Sequence, residues 1–316
     1  MIQLDQRQLG ASNIVVPALG VGIWSWGDKS FWSYGTTHTR EDITSAYKAC
    51  LDAGLNFFDT AEMYGQGESE RILGECMKAD DRSVIIASKF APLPNRLSAS
   101  KLLDALDASL ARLGASTIDL YQVHWPYTFI SIDSLMDAMA LAVREGKIRA
   151  VGVSNYNIRQ MRAAHARLAR YGIPLASNQV HYSLLHRKPE KDGVLAACRD
   201  LDVALIAYSP LEQGLLTGKF RANVPNTIKL SKVRRFAVRP SRLRKIEPLL
   251  QAIETIANER GKTAAQVALN WLLSKDEHII PIPGAKNARQ ATDNAGAIGW
   301  RLSDEEFQKI DMAARF

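Results

Sequence analysis

Short uninterrupted apolar runs recur along this chain, and each is followed by a stretch in which apolar residues return every three or four positions. The runs "NFFDT", "SVIIASKF", "IDLYQVH", "IRAVGVSN", "LASNQV", "VALIAYSP" and "HIIPIPGA" have the length and continuity of strands buried on both faces. Between them, helical spacing predicts helices over Arg40 to Ala53, Gly67 to Met77, Ser98 to Leu113, Ser131 to Glu145, Ile158 to Tyr171 and Gly193 to Leu201. Gly54, Gly114, Gly146 and Gly172 stand where such helices stop. At the start, "RQLGASNIVVPALGVGIW" predicts a small hairpin and a first buried strand over Leu19 to Ile23. Late in the chain, helices are expected around Glu247 to Arg260, Thr263 to Ser274, Asn287 to Ile298 and Ser303 to Ala314.

A strand-helix rhythm carried through eight strands in 316 residues predicts an α/β fold. The form that fits is a single closed (β/α)8 TIM barrel over residues 1–316, with an N-terminal β-hairpin and extra helices after strand 7 and at the C-terminus. The competitor is an open doubly wound sheet. Gly65-x-Gly67 does follow a strand and open a helix, but Glu70 stands where the dinucleotide fingerprint needs Gly or Ala.

Composition narrows the classes. The net charge of +7 is local: Arg221 to Lys245 holds nine Lys/Arg and no Asp/Glu, and the rest is near neutral. That segment has one aromatic, Phe236, and so offers little for a nucleic acid to stack on. Cys50, Cys76 and Cys198 are far apart, and each falls in a predicted helix as a small apolar residue. The histidines are scattered without ligand spacing, so no metal site is read. The N-terminus has no basic start followed by an apolar run, and no apolar run reaches the ~18 residues of a membrane span. A cytoplasmic protein without membrane or nucleic-acid partners is the expectation.

In such a barrel the carboxyl ends of the strands surround the active site. Here they carry Asp59 with Tyr64 just beyond, Lys89, His124, Ser154 and Asn155, Asn178 and Gln179, and Tyr208 and Ser209. The chemistry of these groups fits together. A free phenol, with a pKa near ~10, is a poor acid at neutral pH. An ammonium beside Tyr64 would stabilise the phenolate and lower that pKa, and Asp59 would keep a buried Lys89 charged. A neutral His124 would orient a carbonyl oxygen. These are the parts of an acid site for carbonyl reduction that lacks only a hydride source, which side chains cannot supply.

The same segments resemble the aldo-keto reductases: "NFFDTAEMYG", "SKF", "QVHWP", "GVSNY", "NQVHYS", "AYSPLEQGLLTGK" and "PIPGAKNARQATDN" stand in that family's order over nearly the whole chain. The resemblance implies that Asp59, Tyr64, Lys89 and His124 form a catalytic tetrad beneath an extended nicotinamide cofactor. It implies that Ser154, Asn155 and Gln179 hold the carboxamide and that Tyr208 stacks on the nicotinamide. Ser209, Pro210, Leu211, Gly214 and Lys219 would line the diphosphate path, with Gly22 and Trp24 also touching the cofactor. Gly284, Ala285, Lys286, Gln290, Asp293 and Asn294 would hold the adenosine half.

A helix start behind Lys286 favours NADPH, through its 2′-phosphate, with NADH possible. Trp24 and Trp125 are expected to wall a pocket for a small carbonyl substrate, while Trp26 and Trp32 are pocket residues or loop anchors. The segment from Arg221 to Lys245 is expected to close over the cofactor. The end segment resembles reductases of photosynthetic organisms, pyridoxal reductases among them, and makes pyridoxal a candidate substrate. The family also includes channel-associated β-subunits, so a cofactor-binding interaction protein is the second reading.

Overall fold

The computed structural model describes residues 5–127, 129–222, 230, 235–236 and 238–315. An antiparallel hairpin, β1 (Gln6–Gln8) and β2 (Val15–Pro17), opens the fold. Eight parallel strands follow in chain order: β3 (Val21–Gly22), β4 (Phe57–Asp59), β5 (Ile85–Phe90), β6 (Ile118–Val123), β7 (Ile148–Ser154), β8 (Leu175–His181), β9 (Ala204–Tyr208) and β10 (Ile279–Ile282). Each pairs with the next, and the last returns to the first. Gly20 N–H donates to the Pro281 carbonyl at 2.9 Å and Gly22 N–H to the Pro283 carbonyl at 3.1 Å. A parallel bridge joins Gly22 to Gly284. The sheet is thus a closed (β/α)8 barrel.

The helices that cover it are α1 (Arg40–Asp52), α2 (Glu68–Lys78), α3 (Ser100–Leu113), α4 (Ile132–Arg144), α5 (Ile158–Ala169), α6 (Lys188–Lys191), α7 (Val194–Asp200), α8 (Pro240–Arg260), α9 (Ala264–Lys275), α10 (Ala288–Ala295) and α11 (Asp304–Ala313). Local chemistry sets their ends. Thr39, Asn157, Thr263 and Ser303 close reciprocal capping boxes with Asp42, Gln160, Gln266 and Glu306. Gly114 ends α3 at φ 63°, a conformation that costs glycine nothing. The three cysteines lie buried and unpaired in α1, α2 and α7.

Two boundaries depart from expectation. The first barrel strand is regular only over Val21–Gly22, since Gly20 N–H closes onto Pro281 of β10 and Ile23 N–H onto Asp59 of β4 through single bonds. Helix α8 begins at Pro240, not near Glu247. Pro248 reads locally as a helix start, yet Leu243 and Ile246 are buried on its N-terminal side. Their burial, worth about 1.5–3 kcal/mol per side chain, extends the helix through the proline.

The barrel interior is filled from below. Phe57, Ala87, Leu120, Ala150, Ala176, Ala204, Ile206, Ile280 and Ile282 pack with Leu9, Ile14 and Val16 of the hairpin segment, which plugs the bottom. The Arg7 guanidinium fastens that plug by donating to the carbonyls of Leu273, Asp276 and Ile279. With the lower barrel filled by apolar side chains, polar side chains are left to the top. A Cβ on Gly22 would lie 2.8 Å from the Ile282 carbonyl oxygen, inside the closing seam. Gly22→Ala should therefore cost about 1–3 kcal/mol of stability; a melting temperature equal to wild type would show that the seam can relax.

Candidate active site

Strand alternation places Asp59, Lys89, Gln122 and His124 above the apolar floor. Phe57, Ala87 and Leu120 face inward, and residues two further along share that face. Asp59 and Lys89 are buried almost completely, at 1% and 0% exposure. The Lys89 ammonium spends its three donors locally: on Asp59 Oδ1 at 2.5 Å, on the Thr60 carbonyl at 2.7 Å and on the Tyr64 hydroxyl at 3.3 Å. The other carboxylate oxygen of Asp59 accepts from Gln179 Nε2 at 2.7 Å and from Gln122 Nε2 at 3.2 Å. Burial pulls the Lys89 pKa below its ordinary value, while Asp59 pulls it back up.

Tyr64 corrects one expectation. Burial, with Asp59 added, pushes its phenol well above the ordinary value. The ammonium does not lower it in this state; the desolvation of a phenolate outweighs one cation already paired with Asp59. Tyr64 is therefore a protonated phenol. Because its oxygen accepts from Lys89, its own proton is left to point elsewhere. The His124 ring lies 5.8 Å from the Tyr64 ring in an edge-on arrangement. Burial and the Lys89 charge hold the His124 pKa well below the usual imidazole range, so the ring is neutral, as expected. Its Nδ1 is buried with no hydrogen-bond partner among the described residues.

Adjoining residues brace this group. Glu62 takes the Ala91 N–H at 2.6 Å and a two-pronged contact from Arg96, tying the tyrosine loop to the loop after β5. Behind β5, buried Glu70 accepts from Ser88 at 2.5 Å and Arg112 at 2.6 Å. Sequence reasoning missed Gln122, Glu62 and Glu70 as supports. Gln122 was visible in principle as a polar residue two positions before His124, on the same face.

The residues expected around Asp59, Tyr64, Lys89 and His124 gather at the same end. Ser154 Oγ donates to the Gln179 carbonyl at 2.9 Å, and Asn155, at φ 61°, donates to the His124 carbonyl at 3.1 Å. The Tyr208 hydroxyl donates to Asn155 Oδ1 at 3.1 Å. Asn178 turns away and bonds the Tyr156 backbone. The register explains this: Val151 faces Leu175 but Gly152 faces Ser177, so Ala176 is an extra residue in β8 and the alternation flips.

After β9 a strap runs through Ser209, Pro210, Leu211 and Gly214, with positive φ at Ser209, Glu212, Gln213 and Gly214. A Cβ on Gly214 would lie 2.5 Å from Lys219 Nζ, so the glycine lets that lysine fold over the strap. Beyond β10, Gly284 is exposed, Ala285 is buried, and Lys286 N–H donates to Gln290 Oε1 at 2.9 Å at the start of α10. Asn294 reaches the Gly284 carbonyl at 3.2 Å, and Asp293 accepts from Thr263 at 2.8 Å. Backbone N–H groups at a helix start and a lysine-covered glycine strap fit the two phosphate-bearing parts of a dinucleotide.

The loop after β3 forms an aromatic wall. Trp24 stacks on Phe31 at 4.7 Å, meets Trp32 edge-on at 5.5 Å and lies 6.1 Å from the Tyr64 ring. Trp125 stacks on His124 at 3.7 Å. Trp26 is buried and donates to the Ala285 carbonyl at 2.8 Å, which makes it a loop anchor. The Lys286 ammonium sits 4.3 Å over the Trp32 ring. The expected lid falls largely on residues 223–229, 231–234 and 237, outside the described residues. Arg221, at its start, pairs with Glu247 at 2.8 Å and with Glu254.

The profile of the "Aldo/keto reductase family" matches residues 18–315. This chain is an aldo/keto reductase. It is 38% identical over 313 residues to a chloroplastic pyridoxal reductase of Arabidopsis thaliana, covering 95% of this chain and 84% of that one. It is 32% identical over 326 residues to an aldo-keto reductase of Schizosaccharomyces pombe named for NADP(+), covering 99% and 92%. A solved aldo/keto reductase from Klebsiella pneumoniae, in complex with NADP and acetate, superposes with a TM-score of 0.78 at 30% identity, covering 98% and 95%. Membership makes this reductase an NAD(P)H-dependent oxidoreductase acting on carbonyl compounds. Among its described residues no helix is long and apolar enough to cross a membrane.

The neutral His124 of this reductase has a pH consequence. The unfolded chain protonates that imidazole below about pH 6.5, and the folded chain does not. The residue therefore makes stability fall as pH drops through about 6.5. Urea unfolding of wild type and His124→Gln at pH 7 and pH 5 should show the variant losing less, by on the order of 1 kcal/mol. Equal losses would mean that the ring charges in the folded state.

Proposed function

We propose that this protein reduces an aldehyde or ketone to an alcohol with NADPH, and that Tyr64 supplies the proton. The observation that carries this reading is the Lys89 ammonium, 2.5 Å from Asp59 and 3.3 Å from the Tyr64 hydroxyl, beside a neutral imidazole. When bound, a reduced nicotinamide supplies the hydride that no side chain can. Tyr64 protonates the carbonyl oxygen as negative charge develops there. The raised pKa keeps the proton on the phenol until that moment. Lys89 then stabilises the phenolate left behind. Neutral His124 hydrogen-bonds the same oxygen and fixes its position.

The cofactor reading is supported by the residues that line the mouth. Ser154, Asn155 and Gln179 offer amide and hydroxyl groups beside the tetrad. Gln179 Nε2 is already spent on Asp59, so its carbonyl oxygen is the group left for the carboxamide. Tyr208 offers a ring, and the strap from Ser209 to Lys219 offers backbone and a cation for the diphosphate. Lys286 and the start of α10 suit a 2′-phosphate, and the NADP names of a relative and a neighbour agree with this preference. Trp24, Phe31, Trp32 and Trp125 favour a flat apolar or aromatic carbonyl compound. Pyridoxal, named in the Arabidopsis relative, is the first candidate.

Tyr64→Phe tests the assignment. Turnover of an aromatic aldehyde with NADPH, followed by absorbance, should fall about 10²–10⁴-fold, while NADPH affinity measured by titration stays within about twofold. Normal turnover by the phenylalanine variant would remove Tyr64 as the acid. Replacing Lys286 by Ala should raise the KM for NADPH about tenfold and leave that for NADH nearly unchanged; equal effects on both would end the 2′-phosphate assignment.

A further inference from the structure

Outside the tetrad, a second ionisable cluster, centred on a buried carboxylate, occupies the mouth. Glu212 sits on the strap after β9 with only 9% exposure and a φ of 49°. Its carboxylate meets His181 Nε2, at the end of β8, at 2.6 Å and accepts from Ser183 Oγ, two residues further on, at 2.8 Å. Arg242, in the first turn of α8, reaches its other oxygen at 3.4 Å. The His181 ring lies parallel to the Tyr208 ring at 5.3 Å and to the His186 ring at 3.9 Å.

We propose that His181 and Glu212 are positioning residues, joined by a hydrogen bond, that hold the strap and the Tyr208 ring in the conformation that receives the dinucleotide. This inference rests on the cofactor reading above. Positive φ at Ser209, Glu212 and Gln213 is sparsely populated backbone that must be held by something outside it. Glu212 supplies such a hold by reaching from the strap to β8. A carboxylate this far from water needs cations facing it. Arg242 is one, and the His181 imidazole meets the other carboxylate oxygen. Burial raises the Glu212 pKa, but His181, Ser183 and Arg242 outweigh it and keep the group below the usual carboxylate range.

The other groups packed here do not compete for the charge. Burial and His181 together push the His186 pKa down, with Lys188 and Asp192 acting from the α6 end. Burial, Tyr64 and Glu212 push the Tyr208 phenol up, so it stays neutral. Cutting the His181–Glu212 contact releases the strap from β8, and cofactor affinity falls.

The test is a fluorescence titration of NADPH and NADH at pH 7, for wild type, Glu212→Ala, His181→Ala and His181→Gln. The two alanine variants cut the contact and should bind both dinucleotides about tenfold more weakly, because a charge-assisted bond is gone. His181→Gln keeps a donor and should recover most of that loss, a rescue that a merely structural role for the ring would not give; it decides the matter, against His181→Ala, if Glu212→Ala does not fold. Alanine variants that bind as tightly as wild type, or a His181→Gln as weak as His181→Ala, overturn the inference and leave the cofactor reading standing. A wild type that binds neither dinucleotide overturns both.

Discussion

A lysine ammonium without solvent must find an acceptor for each of its N–H groups, and the upper barrel is arranged to give Lys89 all three. Removing both ions of such a pair from water costs several kcal/mol each, and only close geometry offsets that cost. Asp59 supplies the charge, Thr60 a carbonyl and Tyr64 a lone pair. Gln122 and Gln179 then satisfy the second carboxylate oxygen from two further strands. The site is thus a polar network in which β4, β5, β6 and β8 each contribute, and it exists only while the cylinder is closed.

Closure itself depends on apolar chemistry lower down. Alanines at positions 87, 150, 176 and 204 leave room for Phe57, Leu120, Ile206, Ile280 and Ile282, and the hairpin residues seal the base. The mouth is built from loops held by bonds that the barrel cannot supply. Trp26 reaches Ala285, Glu62 holds Arg96, and Glu70 ties Ser88 to Arg112. The left-handed backbone at Asn155 is held by bonds of its own, to the His124 carbonyl and from the Tyr208 hydroxyl. Aromatic rings from the first loop and Trp125 then surround the phenol with little charge of their own. In such surroundings a hydrogen-bond donor aimed at a reacting oxygen counts for more than it would in water.

The electrostatics of the phenol show where local reasoning stops. Proximity of an ammonium argues for an acidic tyrosine. In the folded protein that ammonium is already committed to Asp59, and desolvation dominates. The result is a phenol that keeps its proton in the folded protein, as the role proposed for Tyr64 requires.

The chain's own pattern determined the eight strands, nearly every helix, and the placement of Asp59, Lys89, His124 and Tyr208 at strand ends, because apolar periodicity and strand alternation are properties of neighbouring residues. Its motifs also pointed to the family. Tertiary structure alone decided that the extra residue at Ala176 sends Gln179 rather than Asn178 into the barrel. It alone decided that Gln122, Glu62 and Glu70 brace the site, that α8 runs through Pro248, and that the phenol of Tyr64 becomes a weaker acid. Each of these turns on a register, a burial or a partner distant in the chain, and such quantities come into being only when the strands have closed around one another.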